Sequence, residues 1–148
     1  MITKNELEQS LLDSIRKNDI VRKRTIRMIL TSIKLLEVEK RIKLLDESTI
    51  LSIIQKEIKI RKEAIQDAKN ANRLELVQDN LDEIAVLEEY LPKQLTEVEI
   101  SEIAKSVIND VQAKNVADMG KVMKELIPRI QGRASNDMIS LIVRKLLA

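Results

Sequence analysis

The sequence predicts an all-α protein, and three observations carry that prediction. The apolar residues are almost entirely Ile, Leu, Val, Ala and Met; Tyr90 is the only aromatic. A core built from them is aliphatic, which suits interdigitating helices. Two glycines and two prolines in 148 residues leave little material for the turns of an all-β fold. Apolar side chains also recur at helical spacing along most of the chain.

Thr3 and Glu6 have the spacing of a capping box, and Leu7, Leu11 and Ile15 follow at every fourth position. They predict a first helix over about residues 4–17, broken at Lys17-Asn18-Asp19. A long second helix is predicted over 20–44. Ile26, Ile29, Leu30, Ile33 and Leu36 make one stripe on it, and Met28, Leu35, Val38 and Ile42 a second. A helix apolar on two sides is expected to be central, sandwiched by neighbours.

Asp46-Glu47-Ser48 starts a third helix reaching about Lys69, with its stripe at Ile50, Ile54, Ile58, Ile65 and Ala68. Glu57 and Arg61 fall inside that stripe and are expected to pair across one turn as a structural ion pair. After Asn70-Ala71-Asn72, the residues Leu74, Val77, Leu81, Ile84 and Ala85 mark a fourth helix ending near Tyr90.

Pro92 disfavours helix at Leu91 and removes a donor, so the boundary is placed there. Thr96 and Glu99 form a second capping box ahead of Ile100, Ile103, Ala104, Val107, Ile108 and Val111. Asp118 is the expected N-cap of a sixth helix carrying Met119, Val122, Met123, Leu126 and Ile130 on one side. Pro128, on its outward side, is expected to kink or end it. Gly132 is the expected left-handed C-cap and Ser135 the next N-cap. The last helix is expected to bury Met138, Ile139, Ile142 and Leu146, with Arg144 outward and Lys145 snorkelling at the apolar edge. The expected organisation is an N-terminal four-helix domain (1–91), a linker (92–95) and a small C-terminal three-helix domain (96–148).

Composition narrows function more by exclusion than by indication. A net charge of +2 with 34% charged residues gives a mixed surface that neither supports nor excludes a nucleic-acid partner. No His and no Cys means the usual neutral-pH base and the strongest nucleophile are both missing. No phosphate-loop, dinucleotide or metal-ligand spacing occurs, and carboxylates such as Glu37, Glu39, Glu88 and Glu89 fit an exposed helical pattern. No catalytic residue, cofactor or metal is therefore expected. No apolar run approaches the ~20 residues of a membrane span, and the polar start lacks an apolar leader. A cytoplasmic location with no membrane partner is the expectation, with which the missing cysteines agree.

Two basic clusters remain. The last two helices carry Lys121, Lys124, Arg129, Arg133, Arg144 and Lys145 around both glycines, against Glu125 and Asp137. Such cations neutralise phosphates, and the glycines could let backbone N–H groups approach an anion. The plainer reading is a solvated helix face with Gly120 and Gly132 as turn residues. The second cluster is Lys23, Arg27 and Lys34 on one stripe of the second helix, flanked by Arg16, Lys17, Arg22 and Arg24. It reads as the wet side of that helix. Without aromatics to stack bases, any RNA would be held by backbone and shape.

Several segments resemble the GatB/YqeY family: Thr25-Ile-Arg-Met28, Arg61-Lys-Glu-Ala-Ile65, Tyr90-Leu-Pro-Lys-Gln-Leu95, Met119-Gly-Lys-Val-Met123, Gly132-Arg-Ala134 and Leu141-Ile-Val-Arg-Lys-Leu-Leu147. They span nearly the whole chain in order, as in a stand-alone YqeY-like protein. Ala71-Asn72-Arg73 departs from the Ala-Gly-Arg of that pattern, and Asn tolerates the left-handed turn. The resemblance implies that the C-terminal part is similar to the tail domain of the B subunit of the tRNA-dependent Asp/Glu amidotransferase. There the tail helps hold tRNA, while the chemistry sits in a separate domain that nothing here resembles. It thus implies a non-catalytic, tRNA-holding accessory role, with Lys121, Lys124, Arg129, Arg133 and Arg144 as contacts. The implied partners are tRNA and an amidotransferase or other translation-related protein. Two alternatives stay open: a helical protein–protein adaptor, and a carbon–nitrogen ligase using glutamine as amide donor.

Overall fold

Seven α-helices and one short 3-10 turn make up the regular structure of the computed structural model, which describes residues 2–148. No strand occurs among the described residues. In order, the helices are α1 (Lys4–Arg16), α2 (Ile20–Lys40), α3 (Glu47–Asn70), α4 (Leu74–Glu89), α5 (Glu97–Val111), α6 (Met119–Ile130) and α7 (Asn136–Leu147), with the 3-10 turn Val116–Asp118 before α6. The chain divides after Leu91 into two compact units, each with its own aliphatic core.

Local chemistry sets the helix starts. Thr3 and Thr96 each close a capping box with Glu6 and Glu99, and Asp19, Asp46 and Ser135 cap α2, α3 and α7. Asp118 takes the N-cap position of α6 as expected, but its side chain bonds no N–H of that helix. It ends the 3-10 turn, and its carboxylate accepts the N–H of Lys114 at 2.9 Å instead. The helix ends rely on left-handed residues that are mostly not glycine: Asn18, Arg41, Asn72, Gln112 and Gln131, the last followed by Gly132 at φ 73°. After α2, Arg41 N–H donates to Val38 C=O (3.2 Å) and Ile42 N–H to Glu37 C=O (3.0 Å). This Schellman turn ends the helix at Lys40, short of the expected residue 44. Pro128 lies inside α6, which continues to Ile130.

A non-glycine residue in the left-handed region carries strain that glycine does not. Gln112→Gly, at φ 55° after α5, is expected to raise stability by about 1 kcal/mol, seen as a higher urea midpoint at unchanged slope. A fall in midpoint would show that the Gln112 side chain holds the turn in some other way.

Acid should loosen the same helix starts. Thr96 N–H and then its hydroxyl hold Glu99 below the usual carboxylate range. The Thr49 hydroxyl and N–H do the same for Asp46. Each group is more acidic folded than unfolded, so the stabilisation is complete above the unfolded pKa, about 4. It is lost as pH falls through the lowered folded value. Glu99→Gln is expected to flatten part of the stability loss below about pH 4, measured as urea midpoint against pH. An unchanged acid limb would rule this out.

The N-terminal unit centres on Ile26, Ile29 and Ile33 of α2, fully buried against α1, α3 and α4. Ile50, Ile54, Ile58, Ile65 and Ala68 of α3 are buried as the spacing predicts. The second stripe of α2 corrects the expectation of a sandwiched helix: Met28, Leu35, Val38 and Ile42 are all exposed. On α4 the inward residues are Ile84, Val86 and Leu87, while Leu74, Leu81 and Ala85 face out.

Charge is buried here too. Arg61 is 4% exposed, and its guanidinium meets Glu57 at 2.6 Å, Glu83 at 2.7 Å and the Met28 sulfur at 3.4 Å. The other Glu83 oxygen takes Arg24 at 2.8 Å. The chain Glu57–Arg61–Glu83–Arg24 thus ties α3, α4 and α2 together, so the predicted pair is only half of the cluster. Glu37, read as exposed, is 6% exposed; Lys4 pairs with one oxygen at 2.8 Å while the other has no partner among the described residues.

Candidate nucleic-acid interface

In the C-terminal unit α5, α6 and α7 pack around Ile100, Ala104, Val107, Val122, Leu126, Ile130, Ile139 and Val143. Segment 92–96 is laced to the α6–α7 turn. Leu95 N–H donates to Arg133 C=O at 2.8 Å, and the Gln94 amide donates to Gly132 C=O at 3.3 Å. Residues 92–95, expected to be a linker, are therefore bonded into the C-terminal unit. On α7 the buried set is Ile139, Ile142, Val143 and Leu147. Met138, expected to be buried, is exposed, and so is Lys145.

The five predicted contact residues separate into two groups. Arg129 is held by Asp110 of α5 at 3.0 Å, and Arg133 donates to the Lys93 carbonyl at 3.3 Å while lying near Glu99. Both guanidinium groups bind this fold to itself. Lys121, Lys124 and Arg144 are exposed and make no ion pair among the described residues. Lys121 and Lys124, three residues apart, share the face of α6 opposite its buried side chains. Asp118 is close enough to feel the Lys121 charge; its carboxyl is held below its ordinary pKa first by the Lys114 N–H and less by Lys121. A Cβ at Gly120 would meet open space, so packing does not explain that glycine.

A cleft of about 610 Å³ lies at the end of α5, lined by Ile108, Asn109, Gln112, Ala113 and Leu146 together with Lys105 and Lys114. Sequence reasoning gave it no role, because it joins the end of α5 to α7 across residues distant in the chain.

The basic cluster of the N-terminal unit thins in the same way. Arg16 pairs with Asp13, Arg22 with Asp19 and Glu89, and Arg24 with Glu83. Arg22 also donates to the Tyr90 hydroxyl at 3.1 Å. Lys17, Lys23, Arg27 and Lys34 form no ion pair among the described residues.

With this geometry in place, the comparison with known proteins is direct. A family model described as Yqey-like protein matches residues 4–147. The chain belongs to the YqeY-like family. Among curated proteins it is similar to altered inheritance of mitochondria protein 41, mitochondrial, from three fungi. The Kluyveromyces lactis protein is 36% identical over 84 residues, covering 57% of this chain and 45% of that one. The Lachancea thermotolerans protein is 29% identical over 129 residues, covering 87% and 68%. The Pyrenophora tritici-repentis protein is 33% identical over 90 residues, covering 60% and 49%. In two of the three, the matched region is about half the relative's length.

These YqeY-like relatives overturn the expectation of a cytoplasmic location, because all three are named as mitochondrial. The cytoplasmic reading rested on the absence of cysteine and of any apolar run long enough to span a membrane. Those properties do not separate one reducing compartment from another. No helix among the described residues is long and apolar enough to cross a membrane.

Proposed function

We propose that this YqeY-like protein is a non-catalytic accessory protein whose C-terminal unit holds tRNA by its phosphate backbone. The observation that carries this reading is Lys121 and Lys124 side by side on the solvent face of α6, without an ion pair among the described residues, with Arg144 exposed on α7. Cations already neutralised by carboxylates gain little from a phosphate, whereas unpaired ones release counterions from the nucleic acid. Family membership supports the reading through the likeness to the amidotransferase tail, and an amidotransferase or another translation protein is the natural partner. The four-helix and three-helix units act as separate domains in this proposal, the first as scaffold and the second as RNA-facing module.

Titration of tRNA against the whole chain at several salt concentrations tests it. Binding is expected to weaken steeply with salt, and Lys121→Glu with Lys124→Glu should lower affinity at least about tenfold and reduce the salt slope by about two. Arg129→Ala should matter less, since Asp110 already neutralises Arg129. No binding at low salt, or binding untouched by the double reversal, overturns the proposal.

A further inference from the structure

Where α2 ends, the N-terminal unit turns an apolar and cationic surface to solvent that neither its core nor the tRNA reading uses. Every residue from 38 to 44 is exposed. Leu35, Val38 and Leu44 are 66%, 70% and 68% exposed, and Ile42 is exposed beside them. On α2, Arg27 and Lys34 lie within about 20° of each other, and Val38 falls between their row and that of Leu35. Lys40, Arg41 and Lys43 continue the positive charge through the turn. None of these five cations forms an ion pair among the described residues. The acids nearby are few: Glu39 is exposed, and Asp46, close enough to feel the Lys40 charge, is bonded to Thr49 as the cap of α3. The Schellman bonds of Arg41 and Ile42 hold the turn in shape.

We propose that this elbow docks on an anionic lipid surface, with Leu35, Val38, Ile42 and Leu44 entering the headgroup–acyl boundary and the surrounding cations meeting lipid phosphates. The charge selects the occupant. A second copy of the chain would set cations against cations, and RNA would use the cations but leave four aliphatic side chains in water. A partner helix calls for a groove, whereas a helix end followed by an exposed turn is convex. Lipid demands no matching shape: single aliphatic side chains sink, and the lysines and arginines between them reach back to the headgroups. The expectation of no membrane partner rested on the lack of a spanning segment, which an interfacial patch does not need.

Co-flotation of the whole chain with vesicles of phosphatidylcholine, alone or mixed with phosphatidylserine, tests the proposal. Binding is expected to the mixed vesicles only. Val38→Ser with Leu44→Ser should weaken it about tenfold, since exposed aliphatic area is what enters the bilayer. Lys40→Glu with Lys43→Glu should weaken it more than tenfold, each cation near such a surface contributing about fivefold. These positions are exposed, so melting curves should match the parent chain and separate lost docking from lost folding. No binding to mixed vesicles at low salt overturns the proposal. So does binding indifferent to Val38→Ser with Leu44→Ser, or capture of an RNA or an acidic polypeptide by the elbow in place of vesicles.

Discussion

Replacing Glu83 with alanine is expected to cost the N-terminal unit on the order of 3 kcal/mol, a large share of what a small domain has. Among the described residues, Glu83 is the group that joins Arg61 of α3 to Arg24 of α2. Without it, the nearly inaccessible Arg61 guanidinium keeps Glu57 as its one carboxylate among the described residues, beside the weakly accepting Met28 sulfur, and its Nε loses its acceptor. A desolvated charge stripped of a partner is far costlier than a surface pair. Arg24→Ala removes a partner that is already well exposed and should cost less than about 1 kcal/mol. Replacing Glu57, Arg61 and Glu83 together by Leu or Met should recover most of the loss, because the net benefit of a buried ionic cluster over packed apolar groups is small. Urea unfolding followed by circular dichroism measures all three. A loss below about 1 kcal/mol for Glu83→Ala would mean that water reaches Arg61 after all.

That cluster also shows what could be read from the sequence and what could not. The Glu57–Arg61 pair was visible because it lies within one helical turn. Glu83, 22 residues from Arg61, and Arg24, 59 from Glu83, could not be assigned without knowing which helix faces meet. The capping boxes at Thr3 and Thr96 and the stripe of α3 were legible for the same local reason. Periodicity locates an apolar face but does not say whether a neighbour covers it. Hence the second stripe of α2 looked internal and lies in solvent. Glu37 looked solvated because nothing local announces that α1 brings Lys4 over it. The candidate RNA face was overdrawn in the same way. Five cations near one another in sequence were read as phosphate contacts, but Asp110 and the Lys93 carbonyl, from segments before α6, engage two of them.

Leu126→Ala is the second large effect, and it addresses the division of labour between the two units. Leu126 is fully buried in the C-terminal core, in contact with side chains from α5 and α7 across that core. Emptying such a site costs about 2–5 kcal/mol, whereas a core of this size rarely supplies more than about 3–5. The C-terminal unit is therefore expected to lose its cooperative transition near room temperature, while a transition belonging to the N-terminal unit survives close to its original midpoint. Circular dichroism should show the corresponding partial loss of helix, and a single melt shifted as a whole would mean that the units unfold as one. The same variant then separates the two binding proposals. Salt-sensitive tRNA binding should disappear with the folded α6 face, and vesicle binding should persist, because the elbow at residues 38–44 belongs to the unit that stays folded. If tRNA binding survived, the RNA would have to be held elsewhere. Lys23, Arg27 and Lys34 would then be the cations to reverse, and the lysines of α6 would be no more than the wet side of a helix.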